Sequence, residues 1–291
     1  MSDPDFFSSA SVVIFGLGLM GGSLAMGLRG RCRWLAAVEK DEETRALAKK
    51  LHLIDEISAD PLDVVPNADL IVLAIPVKSI VSVIHKLPDW HSGSPLVLDL
   101  GSTKAEICRA LSSLPARFDP LSGHPMCGKE TLGLKNADKK IFSGATFAFT
   151  RLPHSTWKSI AMAEQLVQLL GAKLLWIDAE THDRWTAYTS HGPYLAASAF
   201  ALTIPEEVKP LAGPGLRSTI RLAGTPASMM MDVLATNRQN ILQVLNEFRA
   251  GLGEIIELLR QEKDQELADL LLNAAQSRNK LVLEIMPGGE P

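Results

Sequence analysis

The sequence predicts an α/β protein: a doubly wound parallel sheet over residues 1–178, followed by an all-helical domain over residues 179–291. Three observations carry this. Short, continuously apolar runs alternate with helix-length segments through the first part, and runs without polar alternation suit strands covered on both faces. The first run ends directly in a glycine-rich turn, the start of a strand–turn–helix unit. Beyond Asp178 no strand signal remains, and apolar residues recur at steps of three and four, the spacing of a helix face.

Taken in order, Val12-Val13-Ile14-Phe15 is the first strand, residues 23–29 a helix and Trp34–Val38 the second strand, spaced as a parallel crossover requires. Helices are expected at 41–50 and 80–87, and strands at 69–75 and 95–100. A helix at 105–111 and a short strand at 117–121 follow. Strands at 145–150 and 173–177 flank a helix at Trp157–Leu170. Past Asp178, a candidate cap, helices are expected at 181–204, 229–260 and 262–283. Ile241, Leu245, Phe248, Leu252, Ile255 and Leu259 form a stripe along the second of these. So short a helical domain offers little core of its own, so a second copy of the chain is the expected cover, with a self-contained bundle as the alternative.

Composition excludes several classes. With 291 residues, 46% apolar and 21% charged, the chain can bury two cores and is not a disordered protein. A net charge of −4 and no long basic patch argue against nucleic acid or an anionic membrane as partner. Cys32, Cys108 and Cys127 lack metal-ligand spacing, so neither a disulfide framework nor a metal site is expected. No apolar run approaches the ~18 residues of a membrane span, and the first residues lack the parts of a signal peptide. A cytoplasmic protein is the expectation.

The glycine turn is Gly16-Leu17-Gly18-Leu19-Met20-Gly21-Gly22-Ser23. Gly16 permits a sharp exit from the strand, Gly18 lets backbone N–H groups of Leu19 and Met20 approach a pyrophosphate, and Gly21 lets the helix pack close to the strand. The helix N-terminus then faces the anion with the positive end of its dipole. A tight turn that binds nothing is the plainer reading. Glu39, about 20 residues on at the end of the second strand, stands where a carboxylate accepts from an adenosine ribose, which favours dinucleotide binding. A carboxylate there repels a 2′-phosphate, so NAD is expected over NADP. Lys40, Arg31, Arg33 and Arg45 would tolerate NADP only if Glu39 turned away.

The strand at 95–100 runs into Gly101-Ser102-Thr103-Lys104. Ligands of open parallel sheets bind beyond the carboxyl ends of strands, so Ser102 and Lys104 are placed to reach one; Ser102 or Thr103 could equally cap the next helix. His124, between Gly123 and Pro125 after the strand at 117–121, falls on the same edge, in what reads as a tight loop suited to a general base near neutral pH.

Together with Gly123-His124-Pro125-Met126-Cys127-Gly128, His182-Asp183 and Ser190-His191-Gly192-Pro193, these segments resemble the prephenate and arogenate dehydrogenases of tyrosine biosynthesis, from Val12 to about Leu283. The resemblance implies a Rossmann-like domain, an all-α dimerisation domain and an oxidative decarboxylation. His124 would take the hydroxyl proton, with Ser102 as its hydroxyl partner. Arg221, in Gly215-Leu216-Arg217-Ser218-Thr219-Ile220-Arg221, would grip a substrate carboxylate; Arg217, on the same helix face, is the weaker candidate, and a surface ion pair is the alternative. Glu130 matches an acidic position near the substrate. His191 keeps the first histidine of its motif, while Tyr194 replaces the second. Departures also fall at Ser218 and Met229-Met230-Met231 and leave the pocket's lining open; the resemblance implies prephenate, the broader bacterial activity, with arogenate as the alternative. A β-hydroxyacid dehydrogenase would carry its catalytic lysine in a glycine-rich stretch of the helical domain, and no such lysine stands there.

Overall fold

The computed structural model describes residues 6–129 and 131–285, with side chains as far as Leu281. An opening turn of helix α1 (Phe6–Ser9) leads into β1 (Ser11–Phe15), α2 (Leu19–Leu28), β2 (Trp34–Val38), α3 (Glu42–Lys50) and β3 (Glu56–Ser58). The chain then crosses to β4 (Leu70–Leu73), α4 (Val77–Ile84), α5 (Leu87–Trp90), β5 (Leu96–Asp99), α6 (Ala105–Ser112) and β6 (Asp119–Pro125). Next come β7 (Thr146–Arg151), α7 (Trp157–Leu170) and β8 (Lys173–Trp176). The strands form one sheet in the order β3-β2-β1-β4-β5-β6-β7-β8. The reversal of direction between β1 and β4 opens a crevice at their carboxyl ends.

Burial explains why these runs are strands. Val12, Ile14, Leu35, Ala37, Val72 and Leu98 point to one face, where α2 and α7 cover them with Leu24, Leu28, Met162 and Leu166. Val13, Phe15, Ala36, Val38, Leu73 and Val97 point to the other, covered by Val77, Ile80, Ile107 and Leu111 of α4 and α6. Each of the Val, Leu, Ile, Phe and Met side chains contributes ~1.5–3 kcal/mol when fully buried, and both faces are used, so polar alternation has no place in these strands.

The sheet is parallel-dominated as expected, with one antiparallel pair, β6 and β7. Two expectations need correction. β6 does not stop near Leu121 but continues through His124, which pairs with Ala148, so the histidine sits on a strand and not in a tight loop. α2 begins at Leu19, directly on the glycine turn, four residues before the expected helix start at Ser23. The short edge strand β3 was not expected from the sequence.

After β8 the chain is helical: α8 (Ala179–Thr186), α9 (Gly192–Leu202), α10 (Pro214–Ile220), α11 (Ala227–Thr236), α12 (Arg238–Arg260) and α13 (Asp264–Ile285). A π-turn at Ala187–His191 interrupts the expected helix at 181–204, and Asn237 interrupts that at 229–260. The chain divides into two compact units, one through Ile241 and one from Leu242 onward. In the second, Phe248, Leu252, Ile256 and Leu259 of α12 and Leu271 and Leu272 of α13 are exposed.

Candidate active site

The site is built on the carboxyl edge of the sheet, beginning with the glycine turn. Gly16 has a φ of +84°, and a Cβ there would lie 2.6 Å from Ile75 Cγ2; only glycine accepts both conditions. At Gly21 a Cβ would fall 1.9 Å from the carbonyl oxygen of Gly16, so the contact between β1 and α2 depends on its absence. Gly18 differs, since nothing lies within 4 Å of a Cβ built there. Its lack of a side chain keeps the ligand side of the turn open, next to the free N-terminus of α2.

A cavity of about 600 Å³ adjoins this turn, lined by Gly16, Gly18, Glu39, Lys40, Pro76 and Trp90 among others. Glu39 is fastened in it from two sides: its Oε2 accepts from the Leu17 N–H at 2.7 Å and its Oε1 from the Asp41 N–H at 2.9 Å. Arg45 in turn donates to the carbonyls of Glu39 and Lys40 at 2.9 and 2.6 Å. The open face at Gly18, the helix N-terminus and the held carboxylate fit the adenosine and pyrophosphate of a dinucleotide.

Two strands along, β5 and β6 place Asp99 opposite Ser122, and the Ser122 hydroxyl donates to Asp99 Oδ1. Lys104 is wholly buried, its ammonium donating to Asp99 Oδ2 and to the Gly123 carbonyl, each at 2.5 Å. A buried charge of this kind is tolerated because it is paired and hydrogen-bonded. Fixing Gly123 fixes the next residue, His124. Ser102 leaves the end of β5 at the same edge, half-buried.

Neither Ser102 nor Thr103 caps α6. The N-cap position is Lys104, and the N–H groups of Lys104 and Ala105 donate instead to Asp183 Oδ1 and Oδ2 of α8, at 2.7 and 2.9 Å. Asp183 Oδ1 also lies 2.9 Å from His182 Nδ1, and His182 Nε2 lies 2.9 Å from His124 Nδ1. A chain His124–His182–Asp183 thus runs inward from the sheet edge, its two inner members buried. Burial, with His182, Lys104 and His191 nearby, holds His124 well below the usual histidine range, so its imidazole is neutral at physiological pH. The sequence names His182-Asp183 within a motif, but no spacing rule joins it to a strand nearly sixty residues earlier.

His191 closes the π-turn, a feature frequent at functional sites. Burial pulls it down to about 4, against the opposing pull of Asp183. Asn237 donates through Nδ2 to the Asp183 carbonyl at 2.6 Å and lies 3.1 Å from His191 Nδ1. Tyr194 is half-buried on α9. Arg217 is on α10, whereas Arg221 stands one residue beyond it and opens a 3₁₀ turn; both are exposed, on the segment packed against α9. Glu130 lies outside the described residues. Cys32, Cys108 and Cys127 form no disulfide, and burial pushes Cys108 and Cys127 up to about 11, away from nucleophilic use. Among the described residues no cluster could hold a metal ion, and no helix is long and apolar enough to cross a membrane.

The chain matches known proteins along most of its length. A family model described as prephenate dehydrogenase, nucleotide-binding domain, matches residues 24–176, and one described as prephenate dehydrogenase, dimerization domain, matches 178–273. The chain is 28% identical over 285 residues to the prephenate dehydrogenase of Bacillus subtilis, covering 94% of this chain and 76% of that protein. It resembles the crystal structure of prephenate dehydrogenase from Aquifex aeolicus in complex with hydroxyphenyl propionate and NAD⁺, with a TM-score of 0.85, 26% identity and coverage of 93% and 98%. The arogenate dehydrogenase of Synechocystis gives 0.79, 27% identity and coverage of 93% and 99%.

Proposed function

Since the chain belongs to the prephenate dehydrogenase family, we propose that it catalyses the NAD-dependent oxidative decarboxylation of prephenate to 4-hydroxyphenylpyruvate. The observation that carries this reading is a neutral histidine, His124, held at the carboxyl edge of a sheet whose glycine turn fits a dinucleotide. A neutral imidazole has a lone pair with which to take the substrate's hydroxyl proton, and Ser102 at the neighbouring strand end shares that hydroxyl. A bound nicotinamide supplies the hydride acceptor. Loss of carbon dioxide makes the ring aromatic, so the chain's task is to hold the hydroxyl at His124 and the carboxylates at cations. Arg221 is assigned the substrate carboxylate, Arg217 a supporting role, and His191 and Tyr194 the polar lining.

NAD is assigned over NADP because Glu39 is tied to two backbone N–H groups and does not swing aside at little cost for a 2′-phosphate. The boundary between the dinucleotide and substrate domains is placed at 178/179, and the helical domain is assigned to a homodimer, as the description of its matching family model suggests. Arogenate is the second reading, favoured by the likeness to the Synechocystis enzyme and by Glu130, whose carboxylate would suit arogenate's ammonium.

The test is formation of reduced nicotinamide with each substrate and each cofactor, with the product identified. Expected are 4-hydroxyphenylpyruvate and carbon dioxide from prephenate, with NAD preferred. An efficiency more than about tenfold higher with arogenate, ~1.4 kcal/mol in barrier, transfers the assignment to arogenate, and turnover of neither substrate removes both readings.

A further inference from the structure

The hydrogen-bond chain behind His124 has a direction, and the direction is set by groups that only donate. Backbone N–H groups of Lys104 and Ala105 point at both oxygens of Asp183. Both oxygens are therefore acceptors, and Asp183 Oδ1 is the acceptor toward His182 as well, so His182 carries its proton on Nδ1. A neutral His182 then has its lone pair on Nε2, which faces His124 Nδ1 at 2.9 Å. His124 must donate from Nδ1, and its lone pair is left on Nε2. The helix cap of α6 thus fixes the tautomer of a histidine on β6, through a second histidine on α8.

We propose that His182 and Asp183 form a proton relay that presents His124 Nε2 as the base and draws the accepted proton's charge inward. The proposal rests on the reading of His124 given above. In the step, the substrate hydroxyl proton moves to His124 Nε2 as the hydride leaves for the nicotinamide. The Nδ1 proton of His124 passes to His182 Nε2, and the Nδ1 proton of His182 stays in its bond to Asp183. One proton enters and one positive charge results, placed on His182 beside a carboxylate and not on His124 alone in a desolvated pocket. Reversing the transfer returns the proton from His182 Nε2 to His124 Nδ1, and water takes the substrate-derived proton from His124 Nε2 once product leaves. His182 is a positioning residue, since it acts through His124.

The other charged and titratable groups facing the relay are the Lys104 ammonium, already bonded to Asp99 and Gly123; His191, bonded to Asn237; and the Cys108 thiol. Each of these is accounted for without competing for His124 Nδ1.

Two measurements test the relay. Nitrogen-15 spectra of the histidine-labelled full chain, read by two-bond proton–nitrogen correlations, should show both His124 and His182 as neutral Nδ1–H tautomers at pH 7, the opposite of the form free histidine prefers. An Nε2–H tautomer at either residue overturns the proposal. This needs no substitution and no turnover, so it stands apart from the functional reading, which fails separately if the parent oxidises neither prephenate nor arogenate. In His182→Gln, the amide oxygen still accepts from His124 Nδ1 but cannot take a proton. NAD affinity should stay within about twofold, kcat should fall ~10- to 100-fold, and the acid limb of kcat should move to lower pH because the accepted charge has nowhere to spread, whereas loss of His182 as a mere electrostatic neighbour of His124 would move it to higher pH. A kcat within twofold of the parent, or a limb that stays or moves to higher pH, overturns it.

Discussion

His124 owes its protonation state to its surroundings, and that state decides what it can do. An exposed histidine has a pKa near 6.5 and is part charged at neutral pH. Here burial, reinforced by His182, Lys104 and His191, favours the neutral form. The sign of the pH dependence follows: the base works unprotonated, so the rate rises with pH through the folded-state pKa of His124 and is lost as pH falls through it. That pKa lies well below 6.5, so kcat/KM should be flat across neutral pH with its acid limb displaced to more acid values, not centred near an ordinary histidine as the sequence suggests. His124→Asn should keep dinucleotide affinity, read by fluorescence titration, and lower kcat by ~100-fold or more. Near-normal turnover in a folded variant removes His124 from the mechanism.

The glycine turn shows how an element separates folding from binding. Gly21 faces protein, with a would-be Cβ 1.9 Å from the Gly16 carbonyl, whereas Gly18 faces open space and has an ordinary φ of −69°. Gly21→Ala should therefore cost ~1–3 kcal/mol of stability as backbone is forced apart, measured by denaturant unfolding. Gly18→Ala should leave stability within about 0.5 kcal/mol and weaken NAD binding; a Gly18→Ala protein with unchanged affinity would show that the cofactor does not approach this turn. Elements such as β1, β2 and β4 were legible because strands buried on both faces are written as unbroken apolar runs. β3 reads Glu56-Ile57-Ser58 and carries no such signal, because an edge strand is partly solvated. The end of β6, Ser122-Gly123-His124-Pro125, has little strand propensity and is extended by pairing with β7. The His124–His182–Asp183 chain was out of reach for the same reason: it is made by tertiary packing between a strand and a helix, with no local pattern that joins them.

At the scale of the whole molecule, the apolar faces of α12 and α13 require a cover. Phe248, Leu252, Ile256 and Leu259 are 53%, 46%, 45% and 59% exposed in the single chain. They recur at helical spacing, so they form a face and not scattered surface residues. Burying one such side chain fully is worth ~1.5–3 kcal/mol, and in a two-fold symmetric contact each is buried twice. Because each is already about half covered, a face of four supplies ~6–12 kcal/mol over the two chains, of the same order as an association cost of ~4–15 kcal/mol. The parent should sediment at twice the chain mass of 31.5 kDa at micromolar concentration. Phe248→Glu combined with Leu252→Glu should shift it to the single-chain mass, because two desolvated carboxylates per chain would face apolar surface. A parent that sediments at 31.5 kDa and still turns over would sink the dimer, leaving these helices a self-contained pair whose exposed face serves some other end.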